Sequence, residues 1–290
     1  MVARPTMTHA TPGTVDPMFD VSGQTVVMTG GSGVLGRVIA RGLAARGANL
    51  VLLGRNLART EAVVSELRRP GTGADVRHLA LQGDVLNRQD LERAARVVLE
   101  TYGRIDGLVN GAGGNAPTAT TSADQSFFDL PSKAIEEVLA LNLVGTVLPC
   151  QVFGRAMAAQ GEGAIVNISS ASATRPLTRV VAYSAAKAAV TNFTQWLAVH
   201  LAEEHSPALR VNAVVPGFFL TEQNRFLVTD RETGELTDRG RKIVAHTPMR
   251  RLGDPEDLVA AVIWLLSPGA RFVTGAAIPI DGGFSAFSGV

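Results

Sequence analysis

Thr25-Val26-Val27-Met28-Thr29-Gly30-Gly31-Ser32-Gly33-Val34-Leu35-Gly36 is the stretch that decides the fold of this chain. A short apolar run rich in β-branched residues leads into a glycine-rich turn, and a helical pattern through Val38, Ile39, Leu43 and Ala44 follows. Glycines let a backbone approach a pyrophosphate closely, and a helix N-terminus offers unpaired N–H groups to its charge. Strand, turn and helix in this order favour a dinucleotide site, whereas a glycine cluster alone could be any tight turn.

Strands and helices alternate along the rest of the chain. The predicted strands are 25–29, 49–53, 76–82, 107–110, 164–169, 209–215 and 276–280, and the predicted helices are 34–46, 57–69, 88–102, 132–159, 181–204, 238–246 and 255–267. Near-continuous apolar strands without strict alternation favour a parallel sheet covered on both faces. We therefore predict an α/β fold, a single doubly wound, Rossmann-like domain over residues 20–290 with a seven-stranded parallel sheet.

Three segments fall outside this alternation. Residues 1–19 are rich in Thr, Pro and Met and lack the apolar segment of a signal peptide, which predicts a flexible tail. Residues 114–129 are polar and turn-rich, and residues 218–241 form a long stretch of mixed charge. Because long loops beyond strand ends build substrate sites in open α/β sheets, we predict a substrate lid around residues 218–247.

Composition excludes several classes of protein. Of the 290 residues, 46% are hydrophobic and the net charge is +1 without a basic block, which argues against a nucleic-acid surface. The single cysteine, Cys150, predicts no internal disulfide and fits a reducing, cytoplasmic location. The longest apolar run, residues 258–266, is too short to cross a bilayer. No spacing of His, Cys or carboxylates predicts a metal site.

Tyr183 and Lys187 stand four residues apart, thirteen residues after Ser170. On a helix, residues four apart share a face, so the lysine ammonium can lie beside the phenol and lower its pKa from about 10. A hydroxyl from Ser170 could hold a carbonyl or alcohol oxygen against the phenol. The three residues therefore predict an acid–base device for a carbinol oxygen. A stray surface Tyr and Lys is the alternative for the pair alone.

With these motifs in hand, residues 22–290 resemble the short-chain dehydrogenase/reductase family. The shared marks, in chain order, are Thr29-Gly-x3-Val-x-Gly, Asp84-Val85, Asn110-Gly111-Ala112-Gly113, Asn142, Ser170, Tyr183-x3-Lys187, Pro216-Gly217 and Thr221. Val34 stands where the family usually has Gly or Ala, and Asn110-Gly111 replaces the usual Asn-Asn. Within the family, the closest resemblance is to the bacterial D-mannonate oxidoreductase (fructuronate reductase) branch. It rests on residues 110–115, 192–200, 217–225, 246–249 and 281–290.

The resemblance implies roles for the matching residues. It implies catalysis by Asn142, Ser170, Tyr183 and Lys187, with Asn142 supporting a water relay. A helix-interior Asn that satisfies backbone groups is the alternative for Asn142. The implied cofactor-binding residues are Gly30, Ser32, Gly33, Val34, Leu35, Gly36, Arg55, Asn56, Asp84, Val85, Asn110, Ala112, Gly113, Tyr183, Lys187, Pro216, Gly217, Phe219 and Thr221. A homotetramer is also implied.

Cofactor preference depends on the end of the second strand. An acidic residue there would bind a ribose 2′-OH, but this chain has Gly54 and Arg55, whose planar guanidinium suits a 2′-phosphate. We therefore expect NADP(H) to be favoured over NAD(H), although Arg55 could instead be a solvated charge or stack on adenine. Asp84 is expected to accept from the adenine amino group and Val85 to pack on the ring. A helix N-cap is the alternative for Asp84.

The predicted activity is interconversion of a ketone and a secondary alcohol, with a sugar acid such as D-fructuronate/D-mannonate as the expected substrate. A sugar acid needs a cation for its carboxylate and polar groups for its hydroxyls, and the loops offer Asn115, Arg175, Arg179, Gln223, Asn224, Arg225 and His246. Phe218 and Phe219 favour a less polar ligand, unless their role is only to pack the lid against the protein. Two alternatives remain open: a 3-oxoacyl or other small-ketone reductase, and a non-catalytic NADP-sensing protein.

Overall fold

The computed structural model describes residues 16–67, 76–220, 228–230 and 233–288. Its strands are β1 (Thr25–Thr29), β2 (Asn49–Gly54), β3 (His78–Gln82), β4 (Gly107–Asn110), β5 (Gly163–Ile168), β6 (Leu209–Pro216) and β7 (Ala277–Ile280). Each strand boundary agrees with the sequence prediction to within two residues. β-Branched and leucine-rich runs such as Asn49–Gly54 favour this extended, buried conformation.

The strands form one seven-stranded sheet in the order β3-β2-β1-β4-β5-β6-β7, and all neighbouring pairs are parallel. The predicted doubly wound, Rossmann-like fold is thereby confirmed. Strand order reverses between β1 and β4, where Thr29 pairs with Asn110. In open α/β sheets, ligands bind in the crevice beyond the strand ends at such a reversal. The residues after Thr29 and after Asn110 therefore form the walls of the predicted site.

The connections are mainly helical. The α-helices are α1 (Val34–Ala44), α2 (Leu57–Glu66), α3 (Arg88–Tyr102), α4 (Ser132–Leu139), α5 (Gly145–Gln160), α6 (Val181–Glu204), α7 (Asp238–His246) and α8 (Val259–Leu266). The predicted uninterrupted helix 132–159 differs from the structure, because a π-helical turn at Ala140–Val144 separates α4 from α5. The last predicted helix starts as a 3₁₀ turn at Pro255–Leu258 before α8 begins.

The core lies on both faces of the sheet. On one face, α1 and α8 bury residues such as Leu43 and Leu265 against the strands. On the other, α3, α5 and α6 bury Leu91, Phe153 and Leu197. Covering a parallel sheet on both faces makes its strands apolar throughout, which is the pattern seen in the sequence.

The segment Ser132–Gln160 is long and apolar enough to span a membrane by length and composition. Half of its most apolar window is buried inside the fold, however, as in the core helix of a globular protein. Phe153 and Met157 of this segment are fully buried against the sheet. Its hydropathy is therefore explained by packing.

Candidate active site

The turn between β1 and α1 has the geometry of an anion cradle. Gly30 adopts φ of +68°, and a Cβ built on it would lie 2.5 Å from the carbonyl carbon of Gly111. Only glycine combines this left-handed backbone with so close an approach. α1 then begins at Val34 behind Gly33, which provides no side-chain cap. The first N–H groups of a helix lack intrahelical partners, so those of Val34, Leu35 and Gly36 suit a pyrophosphate.

The ends of β2 and β3 carry the residues predicted at the adenosine side. Arg55 is exposed, and its guanidinium makes no hydrogen bond or ion pair within the described part of the chain. Asn56 caps α2 by accepting from the N–H of Arg59 at 2.9 Å. Its amide nitrogen can still donate. Arg55 is therefore available to a phosphate.

Asp84 is not the N-cap of α3, so that alternative is wrong. Asn87 is the cap, and its side chain accepts from the backbone of Gln89 and Asp90. Asp84 Oδ1 accepts from the N–H of Leu86 at 2.9 Å, and Val85 is buried beside it. The remaining carboxylate oxygen of Asp84 can accept from a ligand.

Ser170, Tyr183 and Lys187 are brought together by β5 and α6. Ser170 caps the 3₁₀ turn that follows β5, its hydroxyl accepting from the N–H of Ser172 at 3.2 Å, and hydrogen bonding by Ser170 lowers the pKa of the Tyr183 phenol. Lys187 Nζ lies 5.6 Å from the centroid of the Tyr183 ring and donates to the carbonyl of Ile168 at 2.8 Å. The helical spacing predicted from the sequence thus places the three side chains at one end of the sheet.

The direction of the Tyr183 pKa shift differs from the one predicted from the sequence. Burial raises the pKa of the Tyr183 phenol, and the hydrogen bond from Ser170 opposes that rise. Burial also lowers the pKa of Lys187 to about 8. Burial thus outweighs the neighbouring groups, and the pKa of the phenol moves up overall and not down as the helical spacing predicts. The phenol is therefore protonated at neutral pH, in the form that donates a proton.

Asn142 lies in the π-helical turn and is fully buried. Its Nδ2 donates to the carbonyls of Gly114 at 2.7 Å and Val138 at 2.8 Å, and its Oδ1 accepts from the N–H of Gly114 at 3.1 Å. The side chain of Asn142 therefore satisfies backbone groups, as the alternative interpretation of this residue predicts. The contacts also tie the segment after β4 to the helix that faces Lys187.

Gly113 lies between Asn142 and Lys187. A Cβ built on Gly113 would be 2.6 Å from Asn142 Oδ1 and 3.3 Å from Lys187 Nζ. Its neighbour Ala112 donates its N–H to Thr29 Oγ1 at 3.2 Å, which ties the two strand ends of the crevice together. These contacts bring the cofactor-site turn of β4 against the catalytic candidates.

Asn110 points into the sheet. Its Nδ2 donates to Asn167 Oδ1 at 2.9 Å and lies 3.2 Å from the sulfur of Cys150. Asn110 is 2% exposed, so any cofactor contact at this position involves the backbone after it. Burial raises the pKa of Cys150 to about 12, which makes its thiol inert.

The segment after β6 lies at the same end of the sheet. The N–H of Gly217 donates to Ile280, and Phe219 is buried in the core against Gly253. A cavity of about 370 Å³ opens here between Phe218, Met249 and Asp281. It is lined by Phe219 but by none of Asn142, Ser170, Tyr183 and Lys187. Pro216 ends β6, and Thr221 lies outside the described residues.

Three of the predicted substrate residues make hydrogen bonds to other residues of the chain. Asn115 donates to Thr120 Oγ1 at 2.8 Å, and the Arg175 guanidinium donates twice to the carbonyl of Ser285 at 3.2 Å. His246 Nδ1 lies 2.9 Å from the carbonyl of Lys242. Gln223, Asn224 and Arg225 lie outside the described residues. Among the residues that are described, no group of His, Cys, Asp or Glu could hold a metal ion.

Two buried hydroxyls near the site were missed by sequence reasoning. The oxygens of Ser172 and Ser184 are buried without a hydrogen-bond partner, and these residues flank Ser170 and Tyr183 in the chain. Arg179, four residues before Tyr183, adopts φ of +75° and its carbonyl accepts from the N–H of Thr121. Nothing in the sequence pattern marks the two serines, whereas Arg179 is one of the predicted substrate residues.

Comparison with known proteins agrees with this geometry. Residues 31–285 match the family model described as Enoyl-(Acyl carrier protein) reductase. An uncharacterized oxidoreductase of Bacillus subtilis (strain 168) is 46% identical over 280 residues, covering 93% of this chain and 98% of the relative. The L-rhamnose 1-dehydrogenase (NAD(P)(+)) of Sphingomonas sp. (strain SKA58) is 33% identical, covering 91% and 96%.

A solved structure has the same fold. It is a Haemophilus influenzae protein provisionally named a D-mannonate oxidoreductase, with NAD bound. The two chains are 39% identical with a TM-score of 0.85, over 93% of this chain and 98% of that one. The fold, the order of motifs and these relatives agree, and the chain belongs to the short-chain dehydrogenase/reductase family of NAD(P)-dependent oxidoreductases, which act on alcohol and ketone groups.

Proposed function

We propose that the protein interconverts D-fructuronate and D-mannonate with NADP(H). The observation that carries the oxidoreductase chemistry is the cluster of Ser170, Tyr183 and Lys187 at the strand ends beside the glycine turn of Gly30. The same turn, with a left-handed glycine and an uncapped helix start, fits a dinucleotide. When bound, this cofactor gives or accepts the hydride.

Tyr183 is proposed as the proton donor in reduction. Its phenol is protonated because burial raises its pKa, and it gives the proton to the ketone oxygen as that oxygen gains negative charge. In oxidation the proton moves the other way, from the alcohol to the phenolate. Ser170 holds the substrate oxygen through the hydroxyl that now hydrogen bonds Tyr183. The Lys187 ammonium stabilises the phenolate from its position over the ring.

The cofactor would be held by three groups of residues. The pyrophosphate would lie at Gly30, Ser32, Gly33 and the start of α1, and the adenosine at Arg55, Asn56, Asp84 and Val85. The nicotinamide end would lie near Gly113, Lys187 and the Pro216–Gly217 turn. Asn142 supports this end by fixing the backbone of Gly114.

The sugar-acid substrate is supported by the relatives' names and by the polar residues around the site. The Haemophilus influenzae relative carries the D-mannonate name, and the Sphingomonas relative acts on a sugar. Arg175 and Arg179 lie between β5 and α6, and His246 ends α7. A carboxylate on the substrate would pair with such a cation. The candidates Gln223, Asn224 and Arg225, which lie outside the described residues, belong to the same proposal.

Turnover of D-mannonate tests this proposal. We expect oxidation of D-mannonate with NADP⁺, measured as the absorbance of the reduced cofactor, with kcat/KM at least about tenfold above that for L-rhamnose. A 3-oxoacyl thioester, 3-oxobutanoyl-CoA, is the third probe, since it tests the alternative that the protein is a 3-oxoacyl reductase. A higher kcat/KM for the thioester would replace the sugar-acid proposal with acyl reduction.

Arg55 is expected to set the cofactor preference. Arg55→Gln should lower kcat/KM for NADPH by roughly 10–100-fold, because a charge-assisted hydrogen bond to phosphate is worth about 1.5–3 kcal/mol. The value for NADH should be unchanged. Arg96→Gln removes another exposed arginine, on α3, and is the matched control. An equal fall in kcat/KM for both cofactors, or no fall for either, would show that Arg55 does not bind the 2′-phosphate.

The homotetramer and the cytoplasmic location stay predictions. The exposed face of α6 favours association, since Trp196 and Val199 are 58% and 57% exposed there. Trp196 stacks on His200 with ring centroids 4.9 Å apart, which forms a flat aromatic surface.

A further inference from the structure

The residues that precede Ser170 make successive hydrogen bonds to α6. Asn167 Nδ2 donates to Thr194 Oγ1 at 2.9 Å. The carbonyl of Ile168 accepts from Lys187 Nζ at 2.8 Å. Ser169 continues the series, so the last two residues of β5 and the residue after them each contact the helix that carries Tyr183 and Lys187.

Ser169 and Thr191 share one acceptor, the backbone carbonyl of Lys187. Ser169 Oγ and Thr191 Oγ1 each lie 3.1 Å from this carbonyl oxygen and 2.7 Å from one another, so one hydroxyl donates to the carbonyl and the other donates to its neighbouring hydroxyl. Ser169 is 2% exposed, so its hydroxyl has no access to bulk water. A buried hydroxyl must find such partners, because leaving it unpaired is costly.

Lys187 is consequently held at both ends by adjacent residues. Its side-chain nitrogen contacts the carbonyl of Ile168, and its backbone carbonyl contacts the hydroxyl of Ser169. A rotation or a shift of α6 along its axis would break both contacts. Ser170 follows directly in the chain, so the same contacts set the distance between the serine hydroxyl and the groups on α6.

We propose that Ser169 and Thr191 are positioning residues, which hold α6 so that Tyr183 and Lys187 face Ser170 before substrate binds. The proposal rests on the catalytic assignment given under Proposed function. Neither hydroxyl touches the reacting atoms. Their effect is therefore on the turnover step and not on the affinity for the cofactor, since an error of about 1 Å in placing reactive groups can cost up to a hundredfold in rate.

Three substitutions test the two hydroxyls in the full-length protein. Ser169→Ala and Thr191→Val should each lower kcat about tenfold while KM for the cofactor changes less than about twofold. Thr191→Ser keeps the hydroxyl and should retain kcat. The double variant should lose less than the product of the single losses, because both hydroxyls act on one carbonyl. The substrate is whichever of D-mannonate, L-rhamnose and 3-oxobutanoyl-CoA the wild-type protein turns over fastest.

Ser267→Ala is the matched control. Ser267 is fully buried, and its hydroxyl donates to the carbonyl of Trp264 at the end of α8, away from Ser170. It should lower Tm as Ser169→Ala does, with kcat unchanged. Wild-type kcat in Ser169→Ala and Thr191→Val, or variants that do not fold when Ser267→Ala does, would make the contact purely structural and overturn the proposal. Full activity of Tyr183→Phe would instead reject the catalytic assignment itself.

Discussion

Tyr183→Phe should lower kcat by about 10²–10⁴-fold, the range expected when a general acid is removed from a proton transfer. The substitution deletes only the phenol oxygen, which is the group that the raised pKa keeps protonated and that Ser170 hydrogen bonds. The cofactor contacts the backbone of the glycine turn in the proposed mode, so its affinity should stay within about twofold. Stopped-flow or steady-state turnover together with cofactor titration by fluorescence measures both quantities.

Tyr102→Phe is the matched control, because the chain has only two tyrosines. Tyr102 is the last residue of α3, and its hydroxyl donates to the carbonyl of Arg77 at 3.1 Å. Its loss should cost at most about 1 kcal/mol of stability and leave kcat unchanged. Turnover that survives in Tyr183→Phe, or falls equally in the two variants, would remove Tyr183 from the reaction.

Gly113→Ala should lower kcat roughly a hundredfold without unfolding the protein. The added methyl group would lie 2.6 Å from Asn142 Oδ1 and 3.3 Å from Lys187 Nζ. Asn142 cannot move easily, since its fully buried side chain makes three hydrogen bonds to Gly114 and Val138. The displacement therefore falls on the segment after β4 and on the lysine amine, and misplaced reactive groups lose rate steeply.

Gly154→Ala shows what the same substitution does where space exists. A Cβ built on Gly154, a buried glycine of α5, would lie 3.8 Å from Ile165, an ordinary contact. Replacing a glycine inside a helix should then raise stability by about 1 kcal/mol, with kcat unaffected. Measurements of kcat and Tm on both variants separate an effect on turnover from an effect on stability. Equal kcat values would show that Gly113 tolerates a side chain and that the site is looser than the distances imply.

Much of the fold and part of the site could be predicted from the sequence. The strands followed from near-continuous apolar runs, since fully buried parallel strands carry that pattern. The spacing of Ser170, Tyr183 and Lys187 predicted their proximity because a helix puts residues four apart on one face. Local periodicity was sufficient in both cases.

The remaining features depend on contacts between distant segments. The π-helical turn around Asn142 arises in a helix-forming segment and is coupled to Gly114, which the pattern of 132–159 alone does not encode. The direction of the Tyr183 pKa depends on burial, which a sequence motif does not express. The inward orientation of Asn110 and the contact of Arg175 with Ser285 likewise depend on tertiary neighbours.

The amide pair of Asn110 and Asn167 also bears on how the chain selects its native arrangement. β4 and β5 are apolar on both sides, so their hydrophobic residues alone would tolerate slippage of one strand along the other. In a shifted alignment the two amides would no longer meet, and Asn110 Nδ2 and Asn167 Oδ1 would each lose this buried hydrogen bond, at a cost of about 1–3 kcal/mol for each unpaired group. The pair thus favours the native register of β4 and β5 over shifted ones.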